Sequence, residues 1–124
     1  MNYLKERITS FKYAITGIRE VLKSEANLKI HLVATALTLC AGAYFGISKT
    51  EWSLTILCIV VVLSAETFNT AIENLTDLVS PDFHPLAKKA KDAAAGAVLW
   101  VAIGAFLVGL IIFLPKIFDL FLTN

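Results

Sequence analysis

Three long apolar runs dominate the pattern of hydrophobic and polar positions along the chain. They cover about residues 30–48, 52–79 and 86–114, and the two later runs are polar where they face the connection between them. Because about 20 mainly apolar residues are enough for a helix to cross a bilayer, each run predicts a membrane-spanning helix. The connection between the second and third runs contains two prolines, which end helices.

The first segment, residues 1–28, has a different pattern. Its apolar residues recur at spacings of three and four and share the segment with basic residues, as a helix with one apolar face does. The apolar positions are Leu4, Ile8, Phe11, Ile15, Ile18 and Leu22. We expect a basic amphipathic helix on the membrane surface. The fold class predicted is therefore an all-α integral membrane protein, a single domain over residues 1–124 with one surface helix and three spanning helices.

Composition supports a membrane protein. The chain has 124 residues, of which 57% are hydrophobic and only 17% charged, whereas about a quarter of a soluble domain is charged. This length leaves no room for a separate soluble catalytic domain. The first thirty residues lack a continuous apolar stretch, so we expect no cleavable signal peptide. We expect membrane lipids as partners and no nucleic acid.

The distribution of lysine and arginine predicts the orientation. Six of these residues lie at or before Lys29, one lies in the first connection at Lys49, and three lie at residues 88–91. The positive-inside rule then places the N-terminus and the second connection in the cytoplasm, and the C-terminus outside. We expect a multi-pass protein of the plasma membrane.

A stripe of polar residues lies at the cytoplasmic end of the second run. At 100° per residue, Glu66, Asn69, Glu73 and Asp77 fall within an arc of about 80° on one helix face. An ionisable group inside a bilayer costs roughly 3 kcal/mol even on lenient scales, so such groups are kept mainly where they function. The stripe therefore marks a candidate active site, and the acidic and basic residues on the same side of the membrane include Glu25, His84, Lys91 and Asp92.

These residue types suit phosphoryl transfer. One or two carboxylates completed by water and phosphate hold Mg²⁺, a lysine neutralises phosphate, and a desolvated carboxylate can act as a general base. No Walker loop or protein-kinase signature is present. On the residues alone, Glu25 fits a charge on a surface helix better than a metal ligand. A small ion or proton carrier, or a structural membrane adaptor, remains an alternative at this point.

Residues 66–73 read E-T-F-N-T-A-I-E, matching the pattern E-x-x-N-[ST]-A-I-E, and residues 90–98 read A-K-D-A-A-A-G-A-V. These two motifs resemble those of the small prokaryotic diacylglycerol kinase family. The resemblance covers nearly the whole chain. It implies a homotrimer of three-span subunits that uses Mg-ATP to phosphorylate a lipid hydroxyl at the cytoplasmic face, with active sites shared between neighbouring subunits.

The resemblance also implies a role for each site residue. Glu66 is the expected general base, Asn69 positions the reacting groups, and Glu25 and Glu73 hold Mg²⁺ against ATP. The expected nucleotide contacts are Tyr13, Asp82, His84, Lys91 and Asp92. The loop reads Asp-Phe-His at residues 82–84 where the family has Glu-Tyr-His, so a contact that needs the tyrosine hydroxyl would be lost here.

Among the branches of the family, the resemblance favours the one that phosphorylates undecaprenol in Gram-positive bacteria. The diacylglycerol branch tends to have an acidic residue where His31 stands and no proline after the loop histidine, which is followed here by Pro85. Undecaprenol kinase activity is therefore the expectation, with diacylglycerol kinase activity as the alternative.

Overall fold

Four helices make up the fold. The computed structural model describes residues 2–122, which form α1 (Asn2–Ser24), α2 (Ala26–Phe45), α3 (Lys49–Val79) and α4 (Pro85–Leu122). By length and apolar composition, α2, α3 and α4 can each cross a membrane. The predicted all-helical fold, with three helices long and apolar enough to span a membrane, is thereby confirmed.

Two helix bounds differ from the expected ones. The first helix stops at Ser24, because Glu25 has an extended backbone (φ −98°, ψ 118°), and α2 starts inside the segment assigned to the surface helix. At the other end of the chain, α4 continues through Pro115 to Leu122, well beyond residue 114. A single proline removes one backbone donor but does not stop this helix, whose end is tied to α3 by Lys116.

A tight turn joins α2 to α3. Gly46 ends α2 in the left-handed conformation (φ 59°, ψ 47°), which a residue without Cβ adopts most easily. Ser48 then begins α3 with a capping box, in which the Glu51 N–H donates to Ser48 Oγ and the Ser48 N–H donates to Glu51 Oε2 over 2.7 Å. These caps satisfy backbone groups that would otherwise be unpaired near the membrane.

The two helices approach each other closely beside this turn. A Cβ built at Gly42 would lie 2.9 Å from Cη2 of Trp52 and 3.1 Å from Cδ1 of Ile47. The indole ring therefore occupies the space that any other residue at position 42 would need.

Ion pairs close both ends of the antiparallel α3–α4 hairpin. Lys91 pairs with Asp77 at the connection, and Lys116 pairs with Glu51 at the far end, over 2.9 and 3.2 Å. On α3 the two acids are separated by about 39 Å at 1.5 Å per residue, which compares with roughly 40–45 Å for a bilayer with its headgroups. The pairs therefore fit the two membrane interfaces, with the apolar part of the hairpin between them.

Polar side chains occupy part of the interior of the hairpin. Large apolar side chains are exposed on all four helices, as expected where lipid is the solvent. Among the residues whose burial the structure describes, the buried polar side chains all belong to α3, and they are Thr55, Glu66, Asn69 and Thr70. Of the polar stripe predicted from the sequence, Glu66 and Asn69 are buried, Glu73 is half-buried and Asp77 is exposed. The helix that packs most extensively on α3 is α4.

Candidate active site

Glu66 is the central group of the site. It lies near the middle of α3 and is only 2% exposed. Among the described residues, none donates a hydrogen bond to its carboxylate and none forms an ion pair with it. A buried carboxylate without a partner contributes nothing to stability, so its retention points to function.

Asn69 and Glu73 form a hydrogen-bonded pair one turn further along the same face. Asn69 Nδ2 donates to Glu73 Oε1 over 2.9 Å, and since a carboxylate only accepts, this bond fixes the orientation of the amide. The opposite atom, Asn69 Oδ1, is buried and has no hydrogen-bond partner among the described residues. The pair therefore presents one unused acceptor inside the site.

Lys91 joins this cluster from α4. Its Nζ donates to both carboxylate oxygens of Asp77, over 2.9 and 3.1 Å, and the nearby Glu73 carboxylate attracts it as well. The fold thus brings Glu73, Asp77 and Lys91 together, although 14 residues separate the last two. Asp77 was noticed in the stripe but was not among the expected site residues.

Thr70 is a site residue that the sequence reasoning missed. It is 2% exposed, and its Oγ1 donates to the backbone carbonyl of Glu66 over 3.1 Å. This bond fixes the Thr70 side chain against the turn that carries the buried glutamate. The sequence feature that could have identified Thr70 is its spacing of four residues from Glu66. On a helix, a threonine hydroxyl can donate a hydrogen bond to the backbone carbonyl four residues earlier.

Glu25 lies at the break between α1 and α2. It is half-buried and occupies the position that caps α2, yet its carboxylate makes no capping bond. The carboxylate is therefore free of its own helix and available to a ligand.

The carboxylates suit a metal that is bound partly by its substrate. Within residues 2–122, no three His, Cys, Asp or Glu side chains are grouped closely enough to hold a metal by themselves. Mg²⁺ does not need such a group, since it is commonly held by one or two carboxylates together with water and phosphate. Glu25 and Glu73 each have a carboxylate oxygen with no hydrogen-bond partner among the described residues, which leaves that oxygen open to a metal ion.

The other expected nucleotide contacts lie at the surface. His84 caps α4, where its Nδ1 accepts from the Leu86 N–H over 3.2 Å, and Asp92 forms an ion pair with Lys88. Tyr13 is 74% exposed on α1, and Asp82 is exposed in the connection before α4. No hydrogen bond joins any of these four to Glu66, Asn69 or Glu73 in the part of the chain that the structure describes.

Comparison with known proteins agrees with the motifs. The family model "Prokaryotic diacylglycerol kinase" matches residues 12–113. The chain is 43% identical over 116 residues to the undecaprenol kinase of Bacillus subtilis, covering 94% of both chains. It is 35% identical to a diacylglycerol kinase of Synechocystis sp., covering 91% of this chain and 65% of the relative. It is 30% identical to a diacylglycerol kinase of Helicobacter pylori, covering 79% of this chain and 81% of the relative.

The expected family resemblance is confirmed, since the matching region contains α2 and α3 in full and most of α4. The polar stripe of α3, with its buried residues Glu66 and Asn69, lies within that region, as does Lys91. The chain therefore belongs to the prokaryotic diacylglycerol kinase family and is a membrane lipid kinase.

Proposed function

We propose that this chain transfers the γ-phosphoryl group of ATP to the hydroxyl of undecaprenol, giving undecaprenyl phosphate. The observation that carries the chemistry is the buried, unpartnered Glu66 on the same helix face as the Asn69–Glu73 pair. The choice of lipid is supported by 43% identity to an undecaprenol kinase over 94% of both chains. Diacylglycerol is the alternative substrate, since other relatives are diacylglycerol kinases.

Glu66 is the proposed general base. Its carboxylate oxygens are not engaged by any described residue, so they are available to accept the proton of a lipid hydroxyl. Its position inside α3 suits a substrate that reaches the site from within the bilayer. As the hydroxyl oxygen bonds to the γ-phosphorus, the bond to the β,γ-bridging oxygen breaks, ADP leaves and the hydroxyl proton passes to Glu66.

Asn69 is the proposed positioning group for the lipid hydroxyl. Its Oδ1 is buried without a donor, and leaving such an acceptor unpaired costs about 1–3 kcal/mol. A lipid hydroxyl that donates its single proton to Oδ1 on entering the site would remove that cost, and this bond breaks when the proton passes to Glu66. Because Nδ2 is held by Glu73, the amide cannot turn away without breaking its other bond.

The phosphate end of the site is assigned to Glu73, Glu25 and Lys91. The two glutamates would hold Mg²⁺, which supplies charge neutralisation for the phosphates when bound. Lys91 is held by Asp77 beside Glu73, where its ammonium can reach a phosphate oxygen. Tyr13, Asp82, His84 and Asp92 are the proposed contacts of the rest of the nucleotide.

We further propose a homotrimer with shared active sites. Support comes from the exposed nucleotide residues, which are not joined to the Glu66 cluster within one chain and would be brought to it by a neighbouring subunit. The exposed apolar residues of α1 support its assignment as a helix on the membrane surface. The excess of Lys and Arg before Lys29 supports a cytoplasmic N-terminus and active site in the plasma membrane.

A label-transfer assay tests the activity. Purified protein in detergent with Mg²⁺, γ-labelled ATP and undecaprenol should produce labelled undecaprenyl phosphate, and a chelator should abolish the product. Folded protein that labels no lipid would contradict the proposal. For the shared sites, mixed oligomers of the inactive variants Glu66→Gln and Glu25→Gln should regain part of the activity. No recovery, with mixing verified by co-purification through a different affinity tag on each variant, would place both glutamates in one subunit's site.

A further inference from the structure

A cavity of about 340 Å³ lies between α2, α3 and α4 in the membrane-spanning part of the molecule. This volume is within the roughly 300–1,000 Å³ range of ligand pockets. Its wall is mainly apolar, with a few polar groups from His31, Cys58 and threonines. None of the roles assigned above uses this cavity.

The cavity begins next to the proposed base. The ion pairs Glu51–Lys116 and Asp77–Lys91 fix the register of the antiparallel hairpin, so the part of α4 level with Glu66 is close to residue 102. Ala102 lies in the cavity wall. On α3, Val62 also lies in the wall and is one helical turn from Glu66 on the same face.

The cavity then continues away from the phosphate end. At 100° per residue, Thr55, Ile59, Val62 and Glu66 fall within an arc of about 60°, and the first three line the cavity. Glu73 and Lys91 lie in the opposite direction along the helices. A substrate whose hydroxyl lies at Glu66 and faces the phosphates must extend its tail toward Thr55.

We propose that this cavity holds the part of the lipid alcohol's hydrocarbon chain that is next to the hydroxyl, while the hydroxyl itself lies at Glu66 and the rest of a long chain extends into the bilayer. The inference rests on the proposed lipid kinase function and adds the site that recognises the chain. The occupant is a hydrocarbon chain because the wall is mainly apolar, it lies at membrane depth, and it is continuous with the face that carries Glu66.

Small residues on α4 make the space for this chain. Ala102, Ala105 and Gly109 all line the cavity and recur at spacings of three and four, so they share one helix face. A Cβ added at Gly109 would meet no atom within 4 Å, so a larger side chain there can extend into the cavity. Gly109 is level with Cys58 and Ile59, well away from Glu66, so filling this position would shorten the cavity without touching the reacting groups.

Gly109→Leu and its matched control Gly104→Leu test the inference. Gly104 is on the same helix and is equally open to an added Cβ, but it does not line the cavity. We expect Gly109→Leu to raise the KM for undecaprenol and geranylgeraniol by about 10- to 100-fold, as steric mismatch in an apolar pocket does. The KM for geraniol, whose chain is short, and the KM for ATP should stay unchanged. Gly104→Leu should behave as the unsubstituted protein with every alcohol.

Each failure has a distinct result. If the unsubstituted protein phosphorylates no alcohol, the proposed function fails. If the unsubstituted protein does phosphorylate alcohols, the cavity is not the chain site when Gly109→Leu changes the KM for short and long alcohols equally. The same holds when it changes the KM for neither. A change in oligomer mass for Gly109→Leu, measured by light scattering, would instead show that a neighbouring subunit fills the cavity.

The two cysteines provide a binding measurement that does not depend on turnover. Cys58 lines the cavity, whereas Cys40 is exposed outside it. Geranylgeraniol should slow alkylation of Cys58 by N-ethylmaleimide in the Cys40→Ala variant and leave Cys40 unaffected in the Cys58→Ala variant. Equal protection of Cys58 by phospholipid alone would show that bulk lipid occupies the cavity, and it would overturn the inference.

Discussion

Replacing Glu66 by glutamine should separate activity from stability. The side chain keeps its shape but can no longer take a proton, and a general base contributes about 100- to 10,000-fold to turnover. We therefore expect kcat to fall by that factor. Glu66 is 2% exposed and has no partner among the described residues, so the substitution removes a buried carboxylate without breaking a bond. Stability should stay equal or rise by on the order of 1 kcal/mol.

Glu51→Gln is the matched control at the other end of the same helix. Glu51 accepts from the Ser48 N–H and pairs with Lys116, so its replacement should lower the unfolding midpoint while kcat is unchanged. Turnover is measured by label transfer to undecaprenol, and stability by thermal unfolding followed by circular dichroism in detergent. The reasoning would be refuted if Glu66→Gln kept kcat within threefold of the unsubstituted protein, or if it unfolded more readily than Glu51→Gln.

Three further predictions follow from the contacts. Gly42→Leu should destabilise the protein by about 1–3 kcal/mol in thermal unfolding, because the leucine side chain would clash with the indole ring of Trp52. The control Gly104→Leu places its side chain in open space and should not destabilise the protein. Equal unfolding midpoints for the two variants would contradict this. Lys91→Ala should raise the KM for ATP about tenfold or more, while Lys89→Ala at an exposed neighbouring position should not. Equal effects of the two substitutions would show that Lys91 does not bind a phosphate of ATP. Deleting residues 1–20 should abolish label transfer although the spanning helices remain, and retained turnover would exclude α1 from the site.

The membrane architecture follows from features that lie close together in the sequence. Each apolar run is long enough to span a bilayer, and helices are the structures that satisfy backbone groups there. The inward stripe containing Glu66 and Asn69 was equally visible, because helical periodicity places residues three and four apart on one face. Burial of these groups could then be expected from the cost of exposing them to lipid.

The ion pairs could not be derived in this way. Glu51 and Lys116 are far apart in the sequence, and their contact depends on how α3 and α4 align. The same applies to Asp77 and Lys91, which were each noticed but not as a pair. Periodicity describes one helix at a time and does not give the register between two helices.

Local roles of the loop residues were also hidden. His84 was considered only as a nucleotide contact, yet its ring caps α4, a role typical of shorter side chains. Asp92 forms an ion pair with Lys88 one turn away, which any i, i+4 pair of this kind can do. Within a single chain, His84 thus makes a helix-capping hydrogen bond and Asp92 makes an ion pair. Both interactions come in addition to the nucleotide contacts that we propose for these residues.

A competition assay tests the central claim most directly. Undecaprenol and diacylglycerol are offered in equal amounts with Mg²⁺ and γ-labelled ATP, the lipid products are separated, and Glu66→Gln serves as the blank. The account predicts label mainly in undecaprenyl phosphate, and about 100-fold less label or lower with Glu66→Gln. Label mainly in phosphatidic acid would contradict the proposed substrate, and label in neither lipid from folded protein would contradict the kinase mechanism itself.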